Sequence, residues 1–426
     1  MTHKNNDIKT QLLNRGVHLP SPESVEIGPE VTPEWISGEG VRIHAGCKIF
    51  GSDTCIGPGT QIGFEAPVTI ENCQIGRDVD LKGGFFSQAV FLNGAACGSC
   101  AHVRGGTILE EEASIAHSVG LKQTILFPYV SLGSLINFCD CLMAGGTDPK
   151  NHSEVGSSYI HFNYTPQQDK ATASLIGDVA GGVMLDKPPV FLGGQGGLVG
   201  PCRLAYGVTI AAGTICRKDE LRPERLIFGG APQSGNIAWS PAGYRNVSRL
   251  LINNLIYIGN LLALGQWYRH VRSLFISELY PRPLHEGLIT RLNQAFGERI
   301  KRLNGFIDNL REIEGSPITM DSSSPPSALK KQKQALIERQ AEIAGILKYY
   351  QGLENIYPPD SDLPPQLVQE AVNKEIGISG LPYLETVKRL PQPAKTEGSS
   401  WLQAVVDQLV HGVLAIIPEF TEQKGT

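Results

Sequence analysis

Between Leu192 and Cys216 an apolar residue returns at every sixth position, in the sequence LGGQGGLVGPCRLAYGVTIAAGTIC. The repeated positions are Leu192, Leu198, Leu204, Ile210 and Cys216, and a small residue follows most of them. Neither the helical period of 3.6 residues nor ordinary strand alternation explains this spacing. The pattern predicts a solenoid of short strands and tight turns, whose units must stack because none can bury its apolar face alone.

The same period reaches back along the chain to about residue 25. Ile56, Ile62 and Val68 keep it, and Ile75 and Leu81 resume it after a slip of one residue. After a blurred stretch it returns at Val103, Leu109, Ile115, Leu121 and Phe127. With three strands to a turn, roughly ten coils are expected. Two irregular segments, 144–154 and 165–189, interrupt the repeat, and loops that leave a rigid scaffold often carry binding or catalysis.

From Tyr244 onward the apolar positions adopt the helical period. We predict helices near 285–313, 328–351, 364–376 and 400–417, a short helix at Ile8 to Asn14, and connectors at 229–243, 315–327, 357–365 and 390–400. The predicted regions are an N-terminal helix and loop (1–24), a β-solenoid (25–240) and a helical domain (241–426). The helical domain shows no catalytic motif, so we expect it to serve packing or assembly.

Composition narrows the function classes. The net charge of -5 gives no electrostatic case for binding nucleic acid. Nine cysteines, an odd number without a repeating spacing, favour a reduced, cytoplasmic setting, and the polar N-terminus lacks the apolar core of a signal peptide. Residues 250–264 are apolar but short and contain three asparagines, so we interpret them as a buried or interfacial helix rather than a membrane span.

Several motifs occur together in one order: AHVRGGT at 101–107, a lysine eighteen residues after Arg104, FNY at 162–164 and VTIAAGTICRKD at 208–219. Together with RGVHLPSPESVEIGPEV at 15–31, they resemble the acetyltransferase half of the bacterial bifunctional UDP-N-acetylglucosamine pyrophosphorylase/glucosamine-1-phosphate N-acetyltransferases. The resemblance covers about residues 15–220 and implies a left-handed parallel β-helix, acetyl-CoA as co-substrate and a homotrimer with sites between prisms. No phosphate loop of a nucleotidyltransferase half precedes the repeat, so pyrophosphorylase activity is not expected.

The resemblance also implies roles for single residues. Arg104 and Lys122 match an Arg and a Lys that bind the sugar phosphate, and two stacked cations would make a phosphate clamp. The alternative is a pair of solvated side chains. Asn163 and Tyr164 match the pair where sugar and acyl group meet, and Ala212 matches a backbone contact to coenzyme A.

Three positions depart from the family. Ser134 stands where the family has its general base, a His, and a hydroxyl needs an activating partner to act as one. Asn137 replaces a Tyr, and Gly194 replaces a Ser that contacts the acyl carrier. On a strand His161 would share a face with Asn163, so it is either a relocated base or a hydrogen-bonded histidine among packed repeats.

Other titratable residues are weaker candidates. His152, Asp148 and Glu154 lie in the first irregular segment, where a polar loop needs no catalytic reason for them. Cys139 and Cys141, alternating along one predicted strand, would share a face, but two thiols alone are a weak zinc signal. We predict no metal.

Two functions follow. The first is an acetyl-CoA-dependent N-acetyltransferase acting on a sugar phosphate or nucleotide sugar, related to UDP-N-acetylglucosamine biosynthesis. The second is a sugar-nucleotide-binding or scaffold protein that kept the anion clamp and lost the base.

Overall fold

The computed structural model describes residues 2–165, 167, 169–229, 235–236, 244, 246–315, 327–352, 364–379 and 381–421. It confirms a solenoid of about 11 turns, built from parallel strands and followed by several helices. Each turn of the solenoid passes over three faces of a prism, and we call them the first, second and third face in the order in which the chain crosses them. The connector predicted at 229–243 lies almost wholly outside the described residues.

The strands of each face pair in parallel with the coils above and below. The first face contains Glu26–Ile27, Lys48–Phe50, Val68–Glu71, Gly84–Ser87, Ala101–Val103, Gly120–Lys122, Asn137–Cys139, Ile160–Phe162, Gly197–Val199 and Ile215–Cys216. The second contains Cys55–Ile56, Gln74–Ile75, Ala89–Phe91, Thr107–Leu109, Ile125–Leu126, Cys141–Met143, Ser174–Ile176 and Arg203–Leu204. The third contains Arg42–Ile43, Gln61–Ile62, Asp80–Leu81, Ala96–Cys97, Ser114–Ile115, Ser131–Leu132, Glu154–Val155, Phe191–Leu192, Thr209–Ile210 and Leu226–Ile227.

The six-residue period places one buried residue on each face in turn. Leu192, Leu198 and Leu204 lie on the third, first and second faces, and all are at most 2% exposed. The prediction was wrong by one position at Phe127, because Leu126 pairs with Leu109 and takes the inward place. Since this coil is one residue shorter than the preceding one, Phe127 falls at a corner, where it is nevertheless buried.

Nine helices lie within the described residues. They are α1 (Thr2–Arg15), α2 (Val179–Gly182), α3 (Val247–His270), α4 (Arg282–Glu314), α5 (Ser327–Glu338), α6 (Gln340–Gly352), α7 (Gln366–Ser379), α8 (Tyr383–Arg389) and α9 (Gln392–Leu414). The connector predicted at 390–400 was wrong, because Pro393 lies in the first turn of α9, where a missing N–H costs nothing.

The helical domain covers the second face of the solenoid. The outward residues of that face are Val90, Ile108, Ile125, Leu142 and Leu175, and all are buried. α4 packs across the strands that carry the first two of them. Strands that are apolar on both sides indicate a sheet covered on both sides, so the helices complete the burial of this face.

α3 is the one helical stretch of the described residues that is long and apolar enough to cross a membrane, and 72% of its most apolar window is buried in the protein. Its asparagines bond to the solenoid. Asn254 Nδ2 donates to the Ala171 carbonyl at 2.8 Å, and Asn260 Oδ1 accepts from the Val179 N–H at 2.8 Å. These contacts place α3 as a core helix against the prism.

Two buried ion pairs join the helices to the prism. Arg272, just after α3, pairs with Glu111, and its guanidinium lies 3.8 Å from the centre of the Tyr383 ring. Arg299 of α4 pairs with Asp140. Because each of these charges is removed from water, each pair makes docking of the helical domain depend on both partners being present.

Candidate functional site

One edge of the prism, where each third-face strand turns into the next first-face strand, carries three of the positions aligned with the family. Ser134, Gly194 and Ala212 occupy the same place in their coils, two residues after the buried Leu132, Leu192 and Ile210 respectively. Ser157 occupies this place in the coil between Ser134 and Gly194, and its Oγ accepts the Ser134 N–H at 3.1 Å. We call this line of residues the third–first edge.

His117 stands at the same edge, one coil before Ser134. Its Nδ1 lies 2.9 Å from Ser134 Oγ, and the histidine is exposed. Ser134 supplies a hydroxyl where the resemblance implies a base. The structure shows the His117 imidazole in contact with that hydroxyl. The two residues are 17 positions apart, which is one coil here, but neighbouring coils also have 18 residues, so the spacing alone does not fix this contact.

The outward surface of the first face has a notch beside this edge. Gly120 stands between His102 and Asn137 in the strand register, and a Cβ built on it would meet only the Ile136 carbonyl, at 4.0 Å. His102 itself stacks on the Phe85 ring at 5.1 Å. A strand residue without a side chain therefore leaves space for a ligand between two polar neighbours.

The two predicted cations flank the notch on its other side. Arg104 donates its N–H to the Leu121 carbonyl, which sets it in register with Lys122, and Lys122 pairs with Cys139 in the next coil. The Arg104 Nη2 lies 3.8 Å from Cys139 Sγ, so the guanidinium spans the lysine's coil. Neighbouring strands are about 4.8 Å apart, close enough for both cations to contact one phosphate.

His161 points into the prism. It is 2% exposed, its Nδ1 lies 2.7 Å from the Cys139 carbonyl, and its Nε2 lies 2.7 Å from Ser174 Oγ. Burial lowers the pKa of His161 to about 4. The prediction that His161 and Asn163 lie on one face of a strand was wrong, because the strand ends at Phe162 and Asn163 follows at a corner. For His161 to take a proton from a substrate, the prism would have to open at this coil.

Asn163 and Tyr164 lie where the first face meets the helical domain. Asn163 Nδ2 donates to Asp140 Oδ2 at 2.5 Å, and Asp140 pairs with Arg299 of α4. The Tyr164 ring is 56% exposed, with Lys170 Nζ 5.6 Å from its centre. The helical domain thus fixes Asn163 through Asp140.

The charged residues of the first irregular segment form a turn. Gly146–Asp148 and Asn151–His152 pair as an antiparallel hairpin. Asp148 accepts the Lys150 N–H at 2.8 Å, a backbone bond that lowers its pKa, and His152 Nδ1 lies 2.9 Å from the Pro149 carbonyl. Glu154 lies exposed on the next third-face strand. Asp148 and His152 thus bond within the hairpin itself.

Cys139 and Cys141 do not share a strand. Asp140 turns the chain between the first face, where Cys139 ends a strand, and the second, where Cys141 begins one. Burial raises the pKa of both thiols. Across the described ranges, no group of three or more His, Cys, Asp or Glu side chains is arranged to hold a metal ion.

Comparison with known proteins gives the solenoid its relatives. Over 233 residues the chain is 31% identical to the bifunctional protein GlmU of Pelobacter propionicus, covering 54% of this chain and 45% of that protein. The solenoid is homologous to part of GlmU. The GlmU proteins of Cyanothece sp. (31% over 209 residues, 49% of this chain and 41% of theirs) and Trichlorobacter lovleyi (28% over 233 residues, 54% and 45%) match similarly.

The chain spans less than half the length of the GlmU relatives it matches. No protein-family model matches it. The matched part is the acetyltransferase half of GlmU, which supports an acyltransferase-related role for the solenoid.

Proposed function

We propose that the solenoid transfers an acetyl group from acetyl-CoA to the amine of an amino-sugar phosphate or nucleotide sugar. The observation that carries this proposal is the contact between His117 Nδ1 and Ser134 Oγ at 2.9 Å. It puts an imidazole beside the position where the resembling family has its base. The general base has moved by one coil and remains at the same edge.

The tautomer decides what this pair does. When Nδ1–H donates to Ser134 Oγ, the His117 Nε2 lone pair is free to accept a proton. The acceptor amine attacks the thioester carbonyl carbon, so that a C–N bond forms and the C–S bond breaks. His117 Nε2 takes the proton that the amine loses, and the thiolate of coenzyme A leaves. Ser134 is then a positioning residue that holds the ring.

The rest of the site orients the acceptor. Arg104 and Lys122 hold its phosphate, the sugar ring lies over the notch at Gly120, and Asn137 contacts the ring. Only Ser118 and Val119 separate His117 from Gly120, so the base and the notch lie on either side of one turn. Gly194 and Ala212, farther along the third–first edge, offer backbone groups to the acyl carrier.

The proposed assembly is a homotrimer in the cytoplasm. The first face exposes apolar side chains at Ile160, Phe162 and Ile215. Packing between prisms would cover these side chains and close the site, since a head-to-tail contact repeated by rotation closes into a ring such as a trimer.

The test is thiol release from acetyl-CoA with a panel of amino-sugar phosphates and UDP-amino sugars. His117→Ala should lower kcat by about 100-fold or more, the contribution of a positioned base. Ser134→Ala, which frees the ring, should lower it less. His152→Ala is the matched control, an equal truncation in the hairpin, and should leave the rate unchanged. Equal rates for His117→Ala and the parent protein would refute this base.

The alternative is the binding or scaffold protein of the second hypothesis, which Ser134 in the place of the family's base favours and Gly194 favours more weakly. It predicts that the same ligands bind and that Arg104→Ala weakens them, without thiol release from any acceptor. Calorimetry beside the thiol assay separates the two functions.

A further inference from the structure

A cleft of about 660 Å³ opens between the loop that follows Tyr164 and the helices α4 and α6. Two glycines of α4 leave its wall open. A Cβ on Gly305 would meet nothing within 4 Å, and one on Gly297 would meet only the Gln351 side-chain amide, at 3.1 Å. This volume lies within the range of small-molecule sites.

The cleft is lined by cations. Lys170 comes from the loop, Lys301 from α4 and Lys348 from α6. Among the residues the structure describes, none of the three forms an ion pair with a carboxylate. Three lysines without anionic partners around one cleft attract a phosphate-bearing ligand.

The two aspartates of the cleft are already engaged. Asp169, 4% exposed, accepts hydrogen bonds from Thr165 Oγ1 and from Tyr244 OH. Asp308 accepts the Gln340 side-chain amide at 2.8 Å. Asp308 also forms an ion pair with Arg311 at 3.3 Å, so the two carboxylates offset the lysines' charge only in part.

One buried polar atom at the cleft has no protein partner. The Asn304 Oδ1 is fully buried, and no donor in the described part of the chain reaches it. A buried acceptor without a hydrogen bond costs about 1–3 kcal/mol, so a ligand hydroxyl or N–H that satisfied it would be favoured.

The cleft adjoins the proposed acceptor site. Lys170 Nζ lies over the exposed ring of Tyr164. Asn163 bonds to Asp140, which pairs with Arg299, and the next residue of α4, Ile300, lines the cleft. A ligand longer than a sugar phosphate can therefore extend from the first face into the cleft.

We propose that this cleft binds a nucleoside diphosphate group carried by one of the two substrates. The lysines contact the diphosphate, and Asn304 accepts a hydrogen bond from the ribose or the base. The inference rests on the proposed function only for which substrate carries the group. A nucleotide sugar and coenzyme A both contain this group, so the experiment must distinguish them.

The first experiment measures UDP and ADP binding to the full chain by calorimetry. The double variant Lys301→Gln/Lys348→Gln should weaken binding by about tenfold or more, because two charges near a phosphate are removed. The matched control Lys330→Gln/Lys331→Gln changes the same charge at exposed lysines of α5, away from the cleft, and should change binding less than twofold. Equal affinities for the parent and cleft variants would overturn the proposal.

A second pair of variants fills space instead of removing charge. Gly305→Leu places a side chain in the cleft, whereas Gly345→Leu adds the same side chain on α6 where nothing lies within 4 Å. Both replace glycine in a helix with a better helix former, so neither should unfold the domain. Only Gly305→Leu should abolish binding, and equal binding by both variants would contradict the assignment.

The outcomes separate this inference from the proposed function. Loss of UDP binding alone in Gly305→Leu assigns the cleft to the acceptor, and loss of ADP binding alone assigns it to the acyl donor. If nucleotide binding depends on the cleft residues but no acceptor gives thiol release, the cleft proposal stands and the transferase proposal is refuted. If an acceptor gives thiol release but no cleft variant changes nucleotide binding, the transferase proposal stands and the cleft proposal is refuted.

Discussion

Glu110 gives a stability prediction whose size follows from the structure. The residue lies at the prism edge beneath the helical domain, 2% exposed, and accepts a hydrogen bond from Tyr268 of α3. Burial, with the neighbouring Glu111 charge, raises its pKa from 4.5 to about 7, against the opposing effect of Arg272. The perturbation is Glu110→Gln, whose amide oxygen can still accept the Tyr268 hydroxyl.

The sign follows from the raised pKa. Below pH 4.5 Glu110 is protonated in both folded and unfolded chains, and its contribution to stability is complete. As the pH rises toward 7 the unfolded chain ionises first, so this contribution is lost, and the loss levels off above about pH 7. The folded and unfolded pKa values, about 7 and 4.5, differ by about 2.5. Because each pKa unit corresponds to about 1.36 kcal/mol, the total loss of unfolding free energy is roughly 3 kcal/mol.

Urea unfolding of the parent and Glu110→Gln between pH 5 and pH 8, followed by tryptophan fluorescence, measures this difference. Trp267 of α3 is fully buried and donates to Tyr383 OH at 2.8 Å, so its emission reports on the helical domain. As the pH rises, the free energy of unfolding of the variant should increase relative to that of the parent by up to roughly 3 kcal/mol. A difference between the two proteins that stays constant across this range would refute the reasoning.

Two further predictions concern contacts around the site. Arg299→Leu leaves the Asp140 carboxylate buried without its cation and should cost about 3–5 kcal/mol of unfolding free energy, measured by chemical denaturation; a loss below 1 kcal/mol would contradict the role given to this pair. Gly120→Val fills the notch with a residue that strands favour, so acceptor KM should rise about tenfold or more while thermal stability holds. An unchanged KM would place the acceptor elsewhere.

Much of the solenoid could be predicted because its signal is local. Leu192 and Leu198 are buried on successive faces as their spacing indicates, since each six-residue unit repeats the same short strand and turn. Phe127 was misplaced because a coil can lose one residue at a corner without losing its strands. The connector predicted at 390–400 was wrong for a similar local reason, because Pro393 does not end a helix but lies in the first turn of one.

The sequence by itself determined the repeat, the helical second half and the resemblance that located Arg104, Lys122 and Ser134. Only the tertiary structure decided that His117 contacts Ser134 and that His161 faces the core. The reason is that strands of neighbouring coils pair residues 16 or more positions apart, and their register depends on the length of every turn between them. Coverage of the second face and the lysine-lined cleft depend on contacts between still more distant segments, which no local period records.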